Sequence, residues 1–97
     1  MLDNKALTEL VGTVIRRQFS DAVIGTVATK PDVDHDGDAI LRVTVVLQDG
    51  IERLDPAKVV DTLGLLWSEL GDAGSESFPI VSYRTKADAE ELERESV

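Results

Sequence analysis

The sequence predicts a two-layer α+β domain with the element order α-β-β-α-β, a C-terminal helical tail, and a mixed three-stranded sheet with helices on one face. Three observations carry this. Apolar residues recur at helical spacing from Leu7 to Phe19 and from Val59 to Leu70. Three short runs, around Val23 to Val27, Leu41 to Leu47 and Phe78 to Tyr83, are rich in β-branched or aromatic residues, and Gly, Pro and Asp punctuate the joins. A strand-helix-strand step then ends the order, and its right-handed crossover makes those two strands parallel neighbours.

Leu7, Leu10, Val11, Val14, Ile15 and Phe19 line one face of a first helix, predicted over Asn4 to Phe19. Asp3 caps it, Leu2 and Leu7 stand where a hydrophobic staple would, and Arg16 and Arg17 suit the negative end of its dipole. Gly12 lowers helix propensity but leaves room for a close neighbour. Ala22 to Thr29 reads as a strand with Val23, Gly25 and Val27 on one face, ended by Lys30-Pro31 because proline offers no ladder donor. Ala39 to Gln48 is the clearest strand: Leu41, Val43, Val45 and Leu47 line one face, and Arg42, Thr44 and Gln48 mark the other, with Ile40 and Val46 among them. The two strands make an antiparallel hairpin whose acidic loop exceeds the usual span of about two to five residues.

After the turn pair Asp49-Gly50, Leu54-Asp55-Pro56 announces a second helix, with Asp55 as cap, Pro56 at the first helical position and Leu54 stapled to Val59. Val59, Val60, Leu63, Leu66, Trp67 and Leu70 form its buried face, and Gly71 supplies a left-handed stop. Burial of six such side chains at about 1.5–3 kcal/mol each offsets much of the ordering entropy, and Trp67→Ala should cost about 3–5 kcal/mol. A linker of small residues, Asp72 to Ser77, leads to a third strand at Phe78 to Thr85, where Pro79 fits an edge or an entry position. Residues 1–85 thus form one domain. Residues 86–97 form a polar helical or disordered tail, opened by Thr85-Lys86-Ala87-Asp88 at capping-box spacing and anchored only by Leu92.

Composition narrows the function. Nineteen acidic against ten basic residues give a net charge of -9, which repels nucleic-acid backbones and anionic membranes, so neither is an expected partner. The excess acid instead suits solubility, a cation or a basic protein. With no cysteine, disulfides, thiolate nucleophiles and cysteine metal sites are excluded. No apolar run approaches the roughly 18 residues of a membrane span, and Met1 to Lys5 lack a signal pattern, so a cytoplasmic protein is expected.

One stretch carries a chemical pattern. Asp32-Val33-Asp34-His35-Asp36-Gly37-Asp38 places four carboxylates on alternate positions with a glycine. Asp32, Asp34, Asp36 and Asp38 are candidate ligands for Ca2+ or Mg2+, since carboxylates this close either stay solvated or share a cation. Asp32, Asp34, Asp36 and Gly37 match the first half of a helix-loop-helix calcium loop, but the bidentate glutamate expected at its twelfth position is Val43. The stretch is also similar to the calcium hairpins of integrin-type propeller repeats, whose aspartate at position nine is Ile40 here. His35, the sole histidine, has no second imidazole or thiol to complete a zinc set.

A second resemblance lies in layout. A helix, then Ile24-Gly25-Thr26, then Asp36-Gly37-Asp38 leading into Ala39 to Val43, then a helix and a strand, resembles the minimal nucleotidyltransferases of toxin-antitoxin systems. That resemblance implies Gly25 and Thr26 at a nucleotide-phosphate turn and Asp36 and Asp38 as a magnesium pair. Thr26 stands where the family has serine, the following arginine is absent, and Phe78 to Val81 lack the family's third carboxylate. The resemblance therefore implies a degenerate member or a partner protein. The serines lie in no glycine elbow, so nucleophilic hydrolysis has no support either. The leading expectation is a non-catalytic interaction module that binds a protein partner or itself through a sheet edge or a helix face. The alternatives are a metal-dependent nucleotidyltransferase-like protein and a weak calcium-binding module.

Overall fold

The structure, a computed structural model, describes residues 3–95. Its elements are α1 (Asn4–Phe19), β1 (Ile24–Val33), β2 (Ala39–Leu47), α2 (Pro56–Asp72), β3 (Phe78–Arg84) and α3 (Lys86–Glu95). The sheet order is β1-β2-β3, with β1 antiparallel and β3 parallel to β2, so β2 is central and both other strands are edges. This is the small mixed-sheet α+β fold expected from the sequence.

The core follows from the two periodicities. Val11, Val14, Ile15 and Phe19 of α1 meet Leu41, Val43, Val45 and Leu47 of β2, with Ile24 of β1 and Leu66 and Leu70 of α2 closing the cluster. Asp3 accepts a hydrogen bond from the Ala6 amide at 2.8 Å, and Asp55 accepts one from Ala57 at 3.0 Å, so both helix starts are capped as expected. The staple partner Leu2 lies outside the described residues. Beside Gly12 runs the Arg16 guanidinium, which donates to the Gly25 carbonyl at 3.1 Å and pairs with Asp21. Thr85 caps α3 by accepting from the Asp88 amide at 3.1 Å, which makes the tail helical from Lys86.

Three expectations need correction. First, β1 does not stop at Lys30-Pro31 but continues to Val33, with Pro31 opposite Leu41 and Val33 opposite Ala39. An edge strand needs ladder donors on one side only, so proline is tolerated there. Second, Gly71 does not end α2. The helix runs to Asp72 and Gly74 takes the left-handed conformation at φ 88°. The Gly74 amide then donates to the Gly71 carbonyl and Ser75 to that of Leu70, the paired bonds of a Schellman cap.

The third correction concerns Trp67, which is 50% exposed, beside Val60 at 70% and Leu63 at 40%. Within α2 only Thr62, Leu66 and Leu70 are fully buried. The helix rests over the edge strand β3 rather than over the sheet centre, so no strand lies under its outer flank. Trp67 keeps a tilted ring contact with Phe78 at 4.9 Å. Its truncation to alanine is accordingly expected to cost about 1 kcal/mol, the worth of an aromatic pair, and not the cost of a core deletion.

Between α1 and β1 the chain turns at Ser20, whose φ of 69° and ψ of 161° fall where glycine alone is at ease. Its amide still caps the Arg16 carbonyl at 2.9 Å. Ser20→Gly is expected to raise unfolding stability by about 1 kcal/mol, read as a higher melting temperature. No change or a loss would mean that the turn carries no strain.

Candidate functional site

The acidic stretch divides into two environments. Asp32 lies inside the ladder opposite Ile40 and receives the Arg42 guanidinium at 2.7 Å. That hydrogen bond, followed by one from the Val33 amide at 2.8 Å, holds its carboxyl below the usual range. Asp32 is therefore committed to Arg42 across the strands, apart from the other three acids. The attraction to Arg42 acts fully above the ordinary carboxylate pKa of 3.8 and fades as pH falls through the depressed value. Arg42→Ala is expected to shift the Asp32 carboxyl titration upward in NMR, while an unmoved titration would remove Arg42 as the cause.

Asp34, Asp36 and Asp38 sit at the tip. Asp34 accepts from the amides of Asp36 and Asp38 through one oxygen, each at 2.9 Å, and its carbonyl accepts from the Gly37 amide at 3.0 Å. Gly37, at φ 86°, then redirects the chain so that the Asp34 amide reaches the Asp38 carbonyl. This is a three-residue hairpin loop built on a four-residue turn, in which Asp is favoured first and Gly fourth. The loop is thus of ordinary length, and part of the Asp-x-Asp-Gly pattern is turn chemistry. The three carboxylates each offer an oxygen within 4.8 Å of the others and can hold a metal ion. His35 is almost fully exposed, 3.7 Å from Asp36.

Gly25 and Thr26 lie at the far end of the hairpin from this tip. They neighbour Val46 and Leu47, whereas the tip follows Val33, eight residues and about 25 Å along the strand. The fold therefore does not bring together the two halves implied by the nucleotidyltransferase layout. Gly25 forms no open turn. It sits at a ladder irregularity with its carbonyl held by Arg16.

An apolar groove of about 350 Å³ lies between α2 and β3. Val59, Val60 and Leu63 line its helical wall, and Phe78, Ile80 and Tyr83 line the strand side. Tyr83 is half-buried and meets Phe19 edge to face at 6.0 Å, and burial pushes its phenol pKa up. Periodicity alone places Val60, Leu63 and Trp67 in the core and predicts no groove. A signal was present: Val59, Val60, Leu63, Leu65, Leu66, Trp67 and Leu70 form an apolar arc wider than one helix face packed on one sheet can bury.

Comparison with protein families, with characterised proteins and with solved structures finds no match to this chain. Among the described residues no helix is long and apolar enough to cross a membrane.

Proposed function

We propose that this protein is a non-catalytic protein-binding module that takes its partner along α2 and the free edge of β3. The observation that supports it is the uncovered groove: a 97-residue domain leaves Val60, Leu63, Trp67, Phe78 and Ile80 in water on one side. Contiguous apolar surface of this kind is characteristic of interaction sites. Phe78 in its lining and Trp67 packed on Phe78 are aromatic, the class of side chain that dominates interface energetics. A cytoplasmic location is part of this proposal, and the cysteine-free composition is compatible with it.

A photo-crosslinking residue at Ile80, compared with one at exposed Thr13 on α1, tests the reading in host cells. Adducts from position 80 and none from position 13 are expected. Equal yields, or none at either position, would count against the groove.

A second reading belongs to the hairpin tip, where the spread of carboxylate oxygens favours a weak divalent-cation site. Three carboxylate oxygens within 4.8 Å of one another can share one cation, and Mg2+ gives up its water more reluctantly than Ca2+. Titration should move the amide resonances of Asp34 to Asp38 saturably, with calcium binding more tightly than magnesium. Tighter magnesium binding, strengthened by nucleotide, would revive the transferase alternative, and unmoved resonances at millimolar metal would remove the cation site.

A further inference from the structure

We infer that the occupant of the groove is a second copy of this chain, joined across a two-fold axis that places β3 antiparallel to β3 and α2 antiparallel to α2. This rests on the reading of the groove as a binding surface and names what fills it. The first argument is that α2 faces the core on one side and α1 on another. Leu66 and Leu70 face the core, and Leu65 and Glu69 border a cleft with Val14, Arg17 and Gln18 of α1, in which Leu65 stays 43% exposed. The third flank carries Val60, Leu63 and Trp67 on the side of β3's open edge, while Val60 and Gly64 also border a cleft with Asp61, Leu65 and Gln18 of α1. An added Cβ at Gly64 would meet nothing within 4 Å, so a backbone can approach there.

The second argument is self-complementarity. The Trp67 to Phe78 contact at 4.9 Å fixes the level of the helix relative to the strand. From it, the midpoint between Leu63 and Gly64 is about 5 Å along α2, and Ile80 is about 7 Å along β3. One axis through Ile80 and between Leu63 and Gly64 therefore serves both elements. Across it Val60 faces Trp67 of the second copy, and Leu63 faces its Gly64, large against small. In β3, Ile80 faces itself and Phe78 faces Ser82 of the second copy. An isologous interface requires this matching of a surface with itself.

The third argument is area. Val60, Leu63, Trp67, Phe78 and Ile80 leave on the order of 400 Å² of apolar side chain exposed per copy, given about 150–250 Å² for a whole aromatic side chain. That is about half of the roughly 800 Å² per partner in a standard interface, and the strand edge and polar rim supply the remainder. Pro79 removes one ladder donor from each copy, so the helix seam carries more of the contact than the strands do.

Sedimentation of the full chain across the micromolar range is expected to give twice the 10.5 kDa chain mass. Val60→Glu, at a position already 70% exposed, should keep the helical circular dichroism and restore the single-chain mass. Ile80→Cys, in a chain with no other cysteine, should form a disulfide-linked dimer on oxidation. Residues facing each other in an antiparallel pair have Cα atoms about 4.5–5.5 Å apart, within disulfide reach. Val33→Cys, on the opposite sheet edge, should not cross-link. A dimer indifferent to Val60→Glu, or equal cross-linking at positions 33 and 80, would overturn the assignment. A monomer whose position 80 still gives photo-adducts with another protein overturns the second copy but leaves the binding surface standing. A monomer without adducts overturns both.

Discussion

Leu66→Ala is expected to destabilise the domain by about 3–4 kcal/mol, roughly three times the effect of truncating its neighbour Trp67. Leu66 is 1% exposed and packs in the cluster that joins α2 to α1 and β2, whereas half of Trp67 is in water. Deleting a buried leucine removes transfer energy and leaves a cavity, while deleting an exposed ring removes one aromatic contact. A domain of this size has a total stability of about 5–10 kcal/mol, so the leucine variant should be close to unfolding at physiological temperature. Urea unfolding followed by circular dichroism checks this. With a slope of about 1 kcal/mol per molar urea, the two midpoints should differ by about 2 M or more. Measured on the Val60→Glu background, where the chain is single, equal midpoints would place Trp67 in the core and remove the groove that the proposed function requires.

Gly25→Ala should cost about 2–3 kcal/mol, which is large for adding one methyl group. A Cβ there would stand 2.9 Å from the Val46 carbonyl oxygen and 3.3 Å from that of Leu47, both backbone atoms of the central strand. A side chain can rotate away from such a contact, but a ladder carbonyl moves only with its strand. The position also sits where the β1 register shifts between Ile24 and Thr26, and its carbonyl receives Arg16. Amide exchange at Val46 and Leu47 should therefore rise more than at Ile40 and Leu41, at the other end of β2. Unchanged stability would mean that the strands are further apart at this point, and the Arg16 contact would lose its geometric basis.

Helix starts and strand faces were legible in the sequence because they depend on neighbours a few residues away. Asp3 and Asp55 cap the amides just after them, and Leu41, Val43, Val45 and Leu47 alternate onto the core face. The candidate site was legible only as composition. Asp32 to Asp38 stand out as acids in any reading, but the ladder decides that Asp32 belongs to Arg42 and that only Asp34, Asp36 and Asp38 converge. Pro31 misled because proline's cost depends on whether its strand is an edge, which no local pattern states.

The sequence by itself determined the element order, the mixed sheet, the capped helices and the acidic character, since short-range periodicity and backbone chemistry dictate them. Only the tertiary structure decided which apolar residues are core and which are surface. Periodicity shows that Val60, Leu63, Leu66, Trp67 and Leu70 belong to an apolar arc of one helix, but burial is a relation between that arc and what lies beneath it. Because the sheet ends at β3, Leu66 and Leu70 are covered while Val60, Leu63 and Trp67 project past its last strand. The same apolar chemistry stabilises the fold on one flank of α2 and remains available for association on the other.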